Sequence, residues 1–255
     1  MWYMPYLRVR HAVLVYVLIA VGITLVAIAL RFWPGSTHFD GHETSVRVGL
    51  SMIVMAATAL VGGFATVLGL NLAAENEGHL ELAWTKPVSR ERYALGVFAV
   101  DVAAMAACIV VTCLCLAVVV DVFAGGQAVT LGGGADALRA LGFLGFPLSV
   151  YAWITALSAS LKRNRGTVAG LFWPLMLVLS ILTLLPIPAV HAVVGALNRL
   201  NPIAVFLAGS SSSQSAGVSA TITGLPASVT SYAWGWVVAA LLLAAALLQW
   251  RRLEV

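Results

Sequence analysis

Six stretches of about 20 apolar residues recur along this chain, and no other feature limits its fold as strongly. They cover residues 12–30, 48–70, 94–123, 141–161, 167–185 and 232–248. Wound as a helix, a run of that length matches the hydrocarbon core of a bilayer. Inside hydrocarbon the backbone must satisfy its own N–H and C=O groups, and a helix does so within one segment. Composition agrees. Charged side chains make up 9% of the 255 residues and hydrophobic ones 61%, with a mean hydropathy of +0.99. A soluble domain carries about 25% charged residues. A chain this poor in charge does not coat a water-facing surface, so a soluble enzyme and a disordered chain are both excluded. The expected fold class is an all-α integral membrane protein with six transmembrane helices, a single transmembrane domain over residues 1–255.

The basic residues set the orientation. Six spans put both termini on one side. Arg8 and Arg10 precede the first span; Lys86, Arg90 and Arg92 lie between the second and third; Lys162, Arg163 and Arg165 lie between the fourth and fifth; Arg251 and Arg252 follow the sixth. Only Arg31, Arg47, Arg139 and Arg199 fall on the other side. Cytoplasmic loops concentrate Lys and Arg, so both termini are expected in the cytoplasm and the protein in the cell membrane, as a multi-pass protein. Trp2, Tyr3, Tyr6 and Trp250 suit the interfacial aromatic belt. The net charge of +4 is no nucleic-acid signal, and no nucleic-acid partner is expected.

The first span ends in Arg31-Phe32-Trp33 without a small-residue cleavage site, so it reads as a retained helix rather than a signal peptide. Residues 124–138 contain Gly132-Gly133-Gly134 and read as a flexible loop. The outer stretch 186–231 is the longest. Its first part, 188–200, suits a short helix that Asn201-Pro202 breaks, and the apolar piece 203–207 is re-entrant or interfacial. Residues 210–215 are serine-rich and carry no packing instruction. Cys108, Cys113 and Cys115 sit together in one apolar run; an odd, clustered set is packing rather than a disulfide framework.

One segment departs from the apolar pattern. Residues 71–93 hold Glu75, Glu77, Glu81 and Glu91. A helix is expected over about 74–86, stopped by Pro87. Glu77 and Glu81 share a face at i,i+4 and repel; Leu80 and Trp84 form an apolar stripe with the same spacing. Ser89 is placed to cap the third span. Like charges beside a Trp and a Leu suit the docking of a basic, partly apolar partner, though a solvated loop on lipid headgroups fits the composition as well.

The pattern Glu75-x-Glu77-Gly78-x-Leu80-Glu81-Leu82-x-x-Thr85-x-Pro87-x-Ser89-Arg90-x-x-Tyr93 resembles the cytoplasmic loop of ABC type-2 transporter permeases. The six spans, the cytoplasmic termini and the length resemble that family too. The resemblance implies a short amphipathic coupling helix between spans two and three that docks in a groove of a separate ATPase subunit. Glu75, Glu77, Gly78, Leu80, Glu81, Leu82, Trp84, Thr85, Pro87 and Arg90 are then the docking residues. It further implies two ATPase copies carrying ATP and Mg, and a second permease subunit, identical or related. The chain departs from the family pattern in its short lead before the first span and in Gly96-Val97, where a lysine is common.

No catalytic residue and no cofactor bound by the chain itself is expected. Lys86 and Lys162 are the only lysines, and neither lies in a P-loop; H-E-x-x-H and G-x-S-x-G are absent. His38, Asp40, His42 and Glu43 read as a solvated loop rather than a metal site, and the Met52/Met55 and Met105/Cys108 pairs as packing rather than a copper site. An ionisable group inside a span is a functional candidate. Asp101, near the cytoplasmic end of the third span, is expected to pair with Arg92 or Lys162, or to act in gating or passage. Asp121 is expected at the outer interface. The stripes Ala59/Gly63 and Ala99/Ala103/Ala107 suit close helix packing, within the chain or between copies. The transport path is expected along Ser51, Thr58, Thr66, Thr112, Ser149, Tyr151, Thr155 and Ser158, for a hydrophobic or amphipathic cargo. Two alternatives remain: an ATP-independent secondary transporter that uses Asp101, and a non-transporting membrane assembly partner.

Overall fold

The computed structural model describes residues 3–32, 48–75, 90–124, 129–130, 134–159, 161, 165–182, 188–204, 206 and 229–252. It is helical almost throughout. The helices are α1 (Tyr3–Arg31), α2 (Leu50–Leu68), α3 (Asn71–Glu75), α4 (Arg90–Ala124), α5 (Gly134–Ser158), α6 (Arg165–Leu182), α7 (Pro188–Asn198) and α8 (Val229–Arg252). Five apolar segments are long enough to cross a membrane: Val9–Arg31, Leu50–Ala74, Glu91–Phe123, Asp136–Ser158 and Ala233–Arg252. Gly166–Leu182 is a shorter apolar helix of 17 residues, against about 20 for a usual span.

Boundaries move where polar residues extend a helix beyond its apolar run. The fourth span, expected from residue 141, begins at Gly134, because Asp136 sits in the first turn and caps its neighbour. Ser51 Oγ donates to Asp136 Oδ1, and the Ser51 backbone N–H donates to Oδ2 at 3.3 Å, so one carboxylate closes the N-terminus of α2. Part of the expected flexible loop is ordered. Two-residue strands β1 (Val48–Gly49) and β2 (Val129–Thr130) pair in parallel beside that cap, with Val48 opposite Val129, a small exception to an all-helical fold. The expected short helix after the fifth span is present as α7.

Helices α2 and α5 form the centre of the bundle, α8 packs on α5, and α4 packs against α1 and α2. Close approach of α2 and α5 rests on two glycines. A Cβ at Gly62 would meet Phe146 Cε1 at 2.6 Å, and one at Gly69 would meet Ile154 Cβ at 2.7 Å and the Tyr151 carbonyl oxygen at 3.1 Å. Around this seam Val61, Ala65, Leu68, Leu72, Phe98, Met105, Val150 and Ile154 are buried. Gly63 has open space around its Cβ position, and Ala59, Ala99, Ala103 and Ala107 are exposed. The stripes singled out in the sequence therefore face outward. The residues that let helices approach closely are Gly62 and Gly69 instead.

Helix α1 is the least buried long helix, yet it is tied in place. Tyr16 Oη lies 2.9 Å from Thr112 Oγ1 on α4, and its ring packs on Phe64 of α2 with centroids 5.0 Å apart. At the far end of the bundle Arg251 on α8 pairs with Glu91 on α4 at 3.4 Å, an exposed contact of small energetic weight.

Candidate functional site

The strongest polar feature inside the bundle is Asp101, which is fully buried. Helix α4 carries it at the level where α2 ends and α3 begins. Asn71 Nδ2, in the first turn of α3, donates to Asp101 Oδ1 at 2.8 Å. Tyr151 Oη, from α5, donates to Oδ2 at 2.9 Å. The Tyr151 ring packs edge-on to Phe98, one turn before Asp101, with centroids 6.2 Å apart and planes at 89°. Below it Thr155 Oγ1 donates to the Tyr151 carbonyl at 2.8 Å, and Ser158 Oγ donates to the Gly69 carbonyl at 3.3 Å. One carboxylate thus joins three helices at the point where the chain leaves α2.

Asp101 was expected to pair with Arg92 or Lys162. Two neutral donors, Asn71 and Tyr151, reach its carboxylate oxygens. Arg92 has an exposed side chain near the start of α4, and Lys162 lies outside the described residues. A buried carboxylate needs donors within reach, and Asn71 and Tyr151 supply two. Neither partner carried a recognisable signal in the sequence. Asn71 is simply the first polar residue after an apolar span, and a tyrosine within a span is common enough to pass as packing.

Of the expected docking residues, Glu75 is the last residue of α3 and Arg90 the first of α4. Glu77, Gly78, Leu80, Glu81, Leu82, Trp84, Thr85 and Pro87 lie outside the described residues, as do His38, Asp40, His42 and Glu43. The segment 76–89 is therefore bracketed by two helices that meet at Asp101. Asp121 is exposed.

All eight expected path residues are buried. Their hydroxyls are nevertheless occupied. Thr58, Thr66 and Thr112 donate to carbonyls three or four residues back in their own helices, at 2.9, 3.2 and 2.7 Å. The Thr66 hydroxyl also accepts from Trp173 Nε1 on α6 at 3.0 Å. Ser51, Tyr151, Thr155 and Ser158 are used as described above. Ser149, which donates to the Gly235 carbonyl at 3.2 Å, also borders an open space. These residues stitch helices together, and in this conformation they do not form a continuous polar path.

That space is a shallow groove between α5, α8 and the segment that follows α7. Asn201 builds its floor. Its side chain is buried, and Nδ2 lies 2.9 Å from the Met176 carbonyl, 3.0 Å from Ser180 Oγ and 2.9 Å from Asn198 Oδ1. Its Oδ1 accepts from the Ile203 N–H at 3.0 Å. Asn198 Nδ2 donates to the Leu179 carbonyl at 3.1 Å. Trp153 Nε1 and Trp234 Nε1 donate to the Leu200 and Arg199 carbonyls, each at 2.8 Å. Phe206 then packs on Phe146 and Phe143, with centroids 4.4 and 5.7 Å away. The chain descends along α6, turns at Asn201 and climbs along α5. The turn is held by groups that sequence reading did not single out.

Among the described residues no cluster of three or more His, Cys, Asp or Glu is placed to hold a metal ion. The three cysteines are unpaired, and Cys108 is buried. No family model, no curated protein and no solved structure matches this chain.

Proposed function

We propose that this chain is the membrane-spanning subunit of an ATP-binding-cassette exporter of the type-2 kind, with six spans, cytoplasmic termini and a coupling helix over about 74–86. In this proposal Gly166–Leu182 belongs to the fifth of the six spans, over about 167–185. Two ATPase subunits, carrying ATP and Mg, dock on the acidic segment, and a second permease subunit completes the pathway.

The observation that supports the proposal best is the tie at Asp101. The acidic segment leaves the bundle at Glu75 and returns at Arg90, and the helices on both sides of it are joined by the Asn71–Asp101 hydrogen bond. Force applied to residues 76–89 by a partner reaches α3 and α4 as one unit. Tyr151 carries it on to α5, the central helix. ATP-driven closure of the partner would shift the populations of two bundle arrangements through that unit. Asp101 is a positioning residue here. With both oxygens committed to protein donors, it is poorly suited to carry an ion, which disfavours the secondary-transporter alternative.

The test is co-expression with a candidate P-loop ATPase, followed by purification through a tag on the permease alone. Stoichiometric recovery of the ATPase is expected. A permease that purifies folded but always alone would contradict the proposal.

A further inference from the structure

The end of α6, the end of α7 and the turn at Asn201 are bonded into one body. Asn201 Nδ2 lies 2.9 Å from the Met176 carbonyl and 3.0 Å from Ser180 Oγ on α6, and 2.9 Å from Asn198 Oδ1 on α7. Asn198 Nδ2 donates back to the Leu179 carbonyl at 3.1 Å. Asn201 Oδ1 accepts from the Ile203 N–H and so fixes the chain that leaves the turn. Two amide side chains thus hold both helix ends and the turn in one geometry.

The attachments of this body to α5 and α8 are of another kind. The carbonyls of Arg199 and Leu200, just past the end of α7, accept from Trp234 Nε1 on α8 and Trp153 Nε1 on α5, each at 2.8 Å. Carbonyls at a helix C-terminus lack helical partners, and here other helices supply the donors. Both bonds are exposed, and each is made by the tip of one side chain. Phe206 adds a ring contact to Phe146. The seam between α2 and α5 is built differently, with backbone so close that a Cβ at Gly69 has no room.

The same body has a weak point at its other end. Pro174 lies inside α6. It has no N–H to give the Gly170 carbonyl, and helices bend at such a position. Gly170 has nothing within 4 Å of its Cβ position, so no neighbour braces that turn. Before the proline, Trp173 Nε1 ties α6 to Thr66 on α2 at 3.0 Å, beside the buried Phe172. After it, Met176 and Ser180 belong to the amide-bonded body.

We infer that the C-terminal half of α6, together with α7 and the Asn201 turn, is a hinged flap that bends at Gly170–Pro174, is latched by Trp153 and Trp234, and swings off α5 and α8 as one body. Releasing the two indole bonds and the Phe206 contact leaves the amide bonds of the flap intact, so it opens without unfolding. Opening widens the shallow groove between α5 and α8. The flap does not rest on the exporter proposal, since its hinge and latch lie within this chain and need neither ATP nor a partner.

The full chain, with Cys108, Cys113 and Cys115 replaced by Ala, is spin-labelled in pairs and placed in phosphatidylcholine nanodiscs, where pulsed double electron–electron resonance reads distances. Labels at Val193 on α7 and Leu157 on α5 report on the latch; labels at Leu177 and Val193 report within the flap; all three positions are exposed. Trp153→Phe/Trp234→Phe is expected to raise a longer Val193–Leu157 component about tenfold, as the loss of two neutral hydrogen bonds allows, with the Leu177–Val193 distance unchanged. Pro174→Ala, which returns an N–H to the hinge, is expected to lower that component again when added to the double variant. Asn201→Leu is expected to broaden the Leu177–Val193 distance instead. Melting temperature checks folding, and the single variants Trp153→Phe and Trp234→Phe carry the same reading if the double variant does not fold. A folded latch variant without the longer component, one in which the Leu177–Val193 distance broadens as well, or a longer component that Pro174→Ala leaves unchanged would overturn the inference.

Discussion

Asn71 Nδ2 donates to Asp101 Oδ1 across 2.8 Å, and this bond fastens the first turn of α3 to the core of α4. Asp101 is fully buried, and Tyr151 takes its other oxygen. Replacing Asp101 with Ala strands the buried Tyr151 hydroxyl and the partly buried Asn71 amide together, so the bundle should lose about 3 kcal/mol. Tyr151→Phe removes only one donor and should lose about 1–2 kcal/mol. Thermal unfolding in one detergent ranks the variants. Equal melting temperatures for Asp101→Ala and wild type would show that the tie has no structural weight.

Glycine positions should divide sharply by facing. Gly69→Ala places a methyl 2.7 Å from Ile154 Cβ and 3.1 Å from a backbone oxygen of α5. Backbone cannot swing aside, so α2 and α5 must separate, at a cost of about 2–3 kcal/mol. Gly63→Ala meets nothing within 4 Å and should leave the melting temperature unchanged or slightly raised. A larger loss for Gly63→Ala than for Gly69→Ala would mean that the α2–α5 seam is wrongly assigned.

Asn201 has its amide in contact with α6, α7 and the chain that climbs back along α5. Asn201→Leu keeps the volume but leaves the Ile203 N–H without its acceptor, and should destabilise by about 2 kcal/mol. The change should also open the turn, so that a cysteine placed at Leu200 in a background without native cysteines reacts faster with a maleimide. Unchanged reactivity would argue that the turn is held by Trp153 and Trp234 alone.

The number of crossings decides the relation of the two ends. If Gly166–Leu182 crosses, six spans put both termini on one side; if it does not, five put them on opposite sides. The distribution of arginine and lysine predicts both in the cytoplasm. Reporter fusions at each end, one active only in the cytoplasm and one only outside it, should give the cytoplasmic signal at both. Opposite signals would leave α6 as a helix that does not cross.

Hydrophobic length was readable in the sequence because it depends on composition alone: the observed long helices overlap the apolar runs. Facing was not readable. An almost wholly apolar helix has no polar side to mark its exterior, so Ala59/Gly63 and Gly62/Gly69 look alike until the neighbours of α2 are in place. The same limit hid the partners of Asp101. Its burial was suspected from its position, but Asn71 and Tyr151 lie 30 and 50 residues away, brought near by the close approach at Gly69. Asp136 was overlooked because the glycines before it suggested a loop, whereas it opens α5 and caps α2. Asn201 was recognised only as a helix breaker, although its amide organises the whole turn.

The acidic segment is where the exporter proposal is most exposed to experiment. The measurement is ATP hydrolysis and complex formation with the co-expressed ATPase in nanodiscs, comparing wild type with Glu77→Arg/Glu81→Arg and checking each permease by thermal unfolding. Reversed charges should abolish complex formation and the associated hydrolysis while the permease melts at its normal temperature. A double variant that binds and stimulates the ATPase as well as wild type would contradict docking through Glu77 and Glu81.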